Sequence, residues 1–92
     1  MSKQLSLGSH TKTDGKSLTY HSTTVFSVYR NIVTLNSGGW QTVTTKKKMN
    51  LAAQIFDAPI HVYQEKNIWY VALQNDFDNP ILFEDGMKID IN

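Results

Sequence analysis

Apolar and polar positions alternate with two different periods along this chain, and the change of period divides it into elements. Met49, Ala52, Ala53 and Phe56 stand at i, i+3, i+4 and i+7, Leu51 and Ile55 widen the same face, and Lys47, Lys48, Asn50 and Gln54 fall mostly elsewhere. That spacing predicts an amphipathic helix of about three turns. Thr44 or Thr45 is expected as its N-cap, because a threonine hydroxyl accepts from the unpaired amides of a first turn. Asp57, Ala58 and Pro59 are expected to end it, since a residue before proline is driven out of the α region.

On both sides of the helix the pattern is that of strands. Residues 18–29 are rich in β-branched and aromatic side chains, with Phe26 and Val28 on one face and Val25, Ser27 and Tyr29 on the other. Arg30 and Asn31 make a two-residue turn into Ile32, Val33, Thr34 and Leu35, which predicts a hairpin. Asn36, Ser37, Gly38 and Gly39 read as a turn and residues 40–43 as an extended lead-in to the helix. Trp40 is read first as a cap on the core beside the helix, and alternatively as an exposed stacking platform. Beyond Pro59, Ile60 and Val62 alternate with His61 and Tyr63, and a turn at residues 65–67 leads into the nearly continuous apolar run 68–73, a central strand covered by the helix. Residues 74–80 read as a polar loop, and residues 81–83 and 87–91 as a closing hairpin around Glu84, Asp85 and Gly86. Residues 1–17 offer only Leu5 and Leu7 for burial and read as a flexible N-terminal arm, with a short edge strand at residues 4–7. The expected fold is α+β, an antiparallel β-sheet built from hairpins with one amphipathic α-helix packed on one face, in a single domain over residues 18–92.

Length and composition narrow the class. A chain of 92 residues supports one core, no apolar run approaches the ~20 residues of a membrane span, and the start M-S-K-Q-L lacks the apolar core of a leader peptide. An intracellular protein without a membrane partner is expected. With no cysteine, disulfides, thiolate catalysis and cysteine-based zinc sites are excluded.

The net charge of +1 conceals a division: residues 1–48 carry seven bases against Asp14 alone, a net +6, whereas residues 49–92 carry two lysines against seven acids, a net −5. Such a division suits an anionic partner for one surface, a basic partner for the other, or head-to-tail association into a homo-oligomer. It disappears if strands of the two halves interleave in one sheet. The densest charge is Lys46, Lys47 and Lys48, placed by this reading in the first turn of the helix. There the helix dipole disfavours each cation by roughly 0.3–1 kcal/mol. Either these lysines form a solvated face whose stems cover apolar surface, or Thr44, Thr45 and the three ammonium groups hold a phosphate or carboxylate.

Tests for catalysis and metal binding fail. His10, His21 and His61 lack ligand spacing. Asp76, Phe77, Asp78 and Asn79 begin like a calcium loop, but Pro80 and Ile81 occupy the following positions and no glutamate closes it. Ser22 and Ser27 near His21 have no nucleophile elbow or orienting acid, and Glu84 and Asp85 are adjacent in a tight turn. No enzymatic activity, metal or cofactor is expected.

The segments Y-H-S-T (residues 20–23), L-N-S-G-G-W (35–40), T-T-K-K-K-M-N (44–50), V-Y-Q (62–64) and W-Y-V (69–71) together resemble a family of small proteins encoded by tailed bacteriophages and prophages. Tyr70 departs from that pattern, as do Asp57, Ala58 and Pro59, where a glycine-containing turn is usual. The resemblance implies phage origin and the bacterial cytoplasm, and it implies no activity. Two functions follow. In the first, an accessory protein inhibits a host enzyme or defence system by protein contact, through an acidic surface of Asp76, Asp78, Glu84 and Asp85 or an open sheet edge. In the second, the protein binds nucleic acid, gripping phosphates with Thr44, Thr45, Lys46, Lys47 and Lys48 and adding Arg30 and Trp40 as flanking contacts.

Overall fold

The computed structural model describes residues 10–74 and 76–91. Its elements are β1 (Thr11–Thr13), β2 (Ser17–Tyr20), β3 (Thr23–Tyr29), β4 (Ile32–Leu35), α1 (Val43–Ile55), β5 (Ile60–Glu65), β6 (Ile68–Leu73), β7 (Asp76–Leu82) and β8 (Met87–Asp90). The class is α+β and every strand pairing is antiparallel, with the strands divided between two sheets, β1-β2-β3-β4-β8 and β5-β6-β7. Two hairpins stand where their turn chemistry put them. Arg30 and Asn31 have φ of 50° and 67°, and Lys66 and Asn67 have 51° and 67°. Both turns therefore take the doubly left-handed form whose twist suits a tight hairpin, without a glycine.

Other segments differ from expectation. Thr11, Lys12 and Thr13, read as part of the arm, form β1 against β2. The strand expected at residues 4–7 lies outside the described residues. The closing hairpin does not exist: β7 pairs with β6, whereas β8 pairs with β4 in the other sheet. The turn at Glu84, Asp85 and Gly86 is real, with the Met87 amide donating to the Glu84 carbonyl at 3.1 Å. It serves as a crossing between sheets because the open edge of β4 accepts the chain, Gly86 donating to the Leu35 carbonyl at 2.7 Å. Residues 76–80, read as loop, belong to β7. Opposite the two steps from Val71 to Leu73, β7 takes five from Asp76 to Ile81, so its middle bulges out of the ladder.

A second bulge redirects the core. Leu18 pairs with Phe26 and Thr19 with Thr24, leaving Val25 as an extra residue in β3. Strict alternation would send Val25 and Phe26 to opposite faces. With the bulge both are buried, at 1% and 0% exposure.

The helix starts earlier than its apolar pattern suggests. Thr42 is the N-cap, its hydroxyl accepting from the Thr45 amide at 3.2 Å, and Thr45 lies inside the helix on the buried face with Met49, Ala52 and Ala53. The C-terminus closes through Asp57 rather than through Pro59 alone. Asp57 takes φ 55°, its amide donates to Gln54 and the Ala58 amide to Ala53 at 2.8 Å. Those two bonds satisfy the last helical carbonyls, with Asp57 at the left-handed position that glycine usually holds.

One face of α1 packs on β2 and β3 of the first sheet and on β5 of the second, so a single core joins Leu18, Phe26 and Val33 to Met49, Ile60, Val62 and Val71. Asn50 fixes the helix to the second sheet. Its side-chain amide donates to the Val62 carbonyl at 2.8 Å, and its side-chain oxygen accepts the Val62 amide at 2.7 Å. The amide thus acts as one residue of an added strand on the edge of β5.

Two outcomes are expected in urea denaturation. Replacing Asn50 with Leu strands the amide and carbonyl of Val62, which is 2% exposed, and lowers stability by about 2–4 kcal/mol. Asp57→Gly relieves a left-handed residue at an exposed C-cap and raises stability by about 1 kcal/mol.

Candidate functional site

The turn at residues 36–39 is wired from within. Asn36 Oδ1 accepts from the Gly38 amide at 2.9 Å, Ser37 Oγ from the Gly39 amide at 3.2 Å, and the Ser37 carbonyl from the Trp40 amide at 3.0 Å. Ser37 is buried and gives both its amide and its hydroxyl to Asp85 Oδ1, at 2.8 and 2.7 Å. Asp85, predicted as part of a partner-binding acidic surface, is therefore spent on holding the crossing between sheets to this turn. Gly38 lies against the β2–β3 turn so closely that a Cβ on it would sit 2.5 Å from Thr23 Oγ1.

These contacts enclose a cavity of about 490 Å³ between the β2–β3 turn, the glycine turn and the start of α1. Tyr20, His21 and Trp40 supply its rings, Ser22 and Thr23 its rim, and Val25, turned inward by the bulge, part of its apolar wall. His21 stacks on His10 with centroids 4.6 Å apart and lies 4.4 Å from the ring of Tyr20. Lys48 extends over the other ring partner, with Nζ 5.4 Å from the Tyr20 centroid. Trp40 is 70% exposed, so it does not cap the core.

The predicted anion site does not assemble. Thr45 is buried with its hydroxyl on Thr42 at 3.0 Å, which takes it away from any ligand. Starting the helix at Val43 moves Lys46, Lys47 and Lys48 out of the first three helical positions, and successive helical residues point about 100° apart. Lys46 reaches Gln64 Oε1 at 2.9 Å and covers Trp69 at 5.6 Å, Lys48 turns to Tyr20, and Lys47 is exposed. Thr44 is exposed on the first turn. Arg30 stands over Tyr29 at 5.2 Å, with Lys16 over the same ring at 5.7 Å. Tyr29 and Thr23 mark opposite ends of β3, about 20 Å apart at ~3.3 Å per residue, so Arg30 does not flank Trp40.

The acidic residues also separate. Asp76 and Asp78 lie on β7 and are exposed, with Asp76 Oδ1 accepting from Asn79 at 2.9 Å. Glu84 and Asp85 belong to the crossing. The bulge of β7 instead presents Phe77, 59% exposed, between Asp76 and Asp78. Sequence reasoning set aside His21 as a metal ligand and Ser22 as a nucleophile, assigned no site to Tyr20 or Thr23, and read Phe77 as loop. A signal for the cavity was present in the glycine pair beside an aromatic residue, because a turn that needs glycine allows close approach of another segment.

Residues 5–90 match the family described as Kyanoviridae Gp96 protein. The chain belongs to this phage protein family. Comparison with curated proteins and with solved structures gives no match. In this member of the family, three of the segments that carried the phage resemblance, residues 20–23, 35–40 and 44–50, contribute to the walls of the cavity. Among the described residues no helix is long and apolar enough to cross a membrane, and no cluster of three His, Cys, Asp or Glu could hold a metal ion.

Gly38 and Gly39 separate conformation from contact. Gly39 has φ 85° and open space around it, so Gly39→Ala is expected to cost about 1 kcal/mol. Gly38→Ala adds the clash with Thr23 and is expected to cost about 2–3 kcal/mol, part of which Thr23→Ala restores in the double variant. Denaturation midpoints of the four proteins check this.

Proposed function

We propose that this member of the family is a non-enzymatic phage accessory factor of the bacterial cytoplasm that inhibits a host enzyme or defence component by protein contact. The observation that supports it is Phe77, an aromatic side chain carried out of the sheet by the β7 bulge and flanked by two exposed carboxylates. Among the described residues, the packing of the core does not use this ring. An exposed aromatic inserted into a partner's pocket and ringed by polar groups is the ordinary anatomy of an interface anchor. Asp76 and Asp78 fit an apolar cleft with a basic rim and accelerate encounter with it. Strand addition to β7 is the poorer mode, since Pro80 and the bulge interrupt that edge. The nucleic-acid reading through Thr44, Thr45 and the lysines loses support from their divergence.

The experiment is quantitative capture from nuclease-treated host lysate with wild type, Phe77→Ala and an Asp76→Asn, Asp78→Asn double variant. One host protein retained by wild type is expected, with affinity reduced about 30-fold or more by Phe77→Ala and association slowed by the charge-neutral variant. Adding wild-type protein is expected to inhibit that host protein's activity, and Phe77→Ala is expected to inhibit it less. Equal capture by wild type and Phe77→Ala would sink the reading.

A further inference from the structure

We propose that the cavity between Trp40 and the β2–β3 turn binds a nucleobase, stacked on its exposed rings and hydrogen-bonded at the rim. The inference does not depend on the partner contact at Phe77, because the cavity is built from the first sheet, the glycine turn and the start of α1 without a residue of β5, β6 or β7.

The size and the walls of the cavity point to this ligand class. Its volume of about 490 Å³ falls within the ~300–1,000 Å³ range of small-molecule sites. No Asp, Glu, Lys or Arg lines it, so the buried part of the ligand is uncharged. Three of its lining side chains are rings, and the largest, Trp40, is 70% exposed although its segment is tied down by the bonds of the glycine turn. A large flat surface held rigidly and left open is what a stacking ligand requires. The polar groups complete the argument. Ser37, Thr42 and Thr45 also line the cavity, but their hydroxyls are engaged with Asp85 or with each other. Ser22 Oγ, Thr23 Oγ1 and the Trp40 indole N–H, by contrast, make no hydrogen bond among the described residues. A hydrocarbon ring would leave these groups unmatched, whereas the edge of a nucleobase offers donors and acceptors to them. Lys48, over Tyr20, supplies a cation near the site for an attached phosphate.

The base can come from a free nucleoside or nucleotide, or from a single-stranded nucleic acid, and the test separates them. The full chain is titrated with adenosine, guanosine, cytidine, uridine and their monophosphates, and in parallel with short single-stranded oligonucleotides, following the amide signals of residues 20–23 and the indole signal of Trp40 by NMR. Saturable shifts at both sets of signals are expected. Trp40→Ala, a change at an exposed position that leaves the core intact, is expected to weaken binding about 5- to 150-fold, and Ser22→Ala to alter preference among the bases. Saturation by mononucleosides assigns a free ligand. Binding by oligonucleotides alone, strengthening with length and weakening with salt, assigns a strand. The proposal is overturned if neither class shifts these signals at millimolar concentration, or if Trp40→Ala binds as tightly as wild type.

Discussion

The paired hydrogen bonds between Asn50 and Val62 are the constraint on which the architecture rests. The core lies between two sheets that share no strand pairing among the described residues, and the chain passes between them through the helix, from β4 to β5, and at the crossing from β7 to β8. A helix packed by apolar contact alone could slide along β5, because dispersion and burial have little directional preference. The side-chain amide of Asn50 removes that freedom by engaging one specific residue of the strand through both of its backbone groups. The next contact follows from geometry. One turn back along α1 is about 6 Å, two residues along β5 are about 6.6 Å, and Lys46 accordingly meets Gln64 on that strand. Helix and strand run antiparallel in fixed register, which also fixes where the N-terminus of α1 stands against the first sheet.

That placement makes the cavity. Thr42 and Thr45 reach it because α1 begins at Val43, and Val25 reaches it because β3 carries an extra residue. Asp85 contributes from a distance in sequence by holding Ser37, which brings the crossing between sheets into the support of the glycine turn. The exposed ring of Trp40 is therefore positioned by elements from three parts of the chain, although none of those supports would be singled out by its residue type.

What was legible in the sequence follows the range over which each cause acts. Helix periodicity, the two hairpin turns, the alternation of β5 and the apolar run of β6 are local, and they appear where the pattern puts them. The N-cap was misplaced because Thr45 looks like a terminus residue, yet its spacing from Met49 and Ala52 already set it on the buried face. Glu84, Asp85 and Gly86 announced a turn correctly, but turn chemistry does not say which strand edge the chain will meet next, and β8 joined β4. Asn50 gave no signal, since a polar residue in an amphipathic helix reads as solvent-facing. The lysine cluster was compact only in sequence, for helical rotation sends its members toward Gln64, solvent and Tyr20.

The division of charge survives folding only in part, and topology explains why. Strands of the two halves share the first sheet, because β8 and the crossing before it bring Glu84, Asp85 and Asp90 with Lys88 onto the edge of β4, while β5, β6 and β7 stay apart in the second sheet. The second sheet with its turns carries Glu65, Asp76 and Asp78 against Lys66, the helix carries Lys46, Lys47 and Lys48, and the first sheet with its turns and the crossing carries Lys12, Lys16, Arg30 and Lys88 against Asp14, Glu84, Asp85 and Asp90. Fields from such groups extend about a Debye length, roughly 8–10 Å at physiological salt. In a molecule measuring 34 × 27 × 19 Å, that range confines each potential to its own part of the surface. Phe77 therefore stands between two carboxylates whereas the cavity has Lys48 beside it, so the two sites proposed for binding differ in local charge and lie on different sheets.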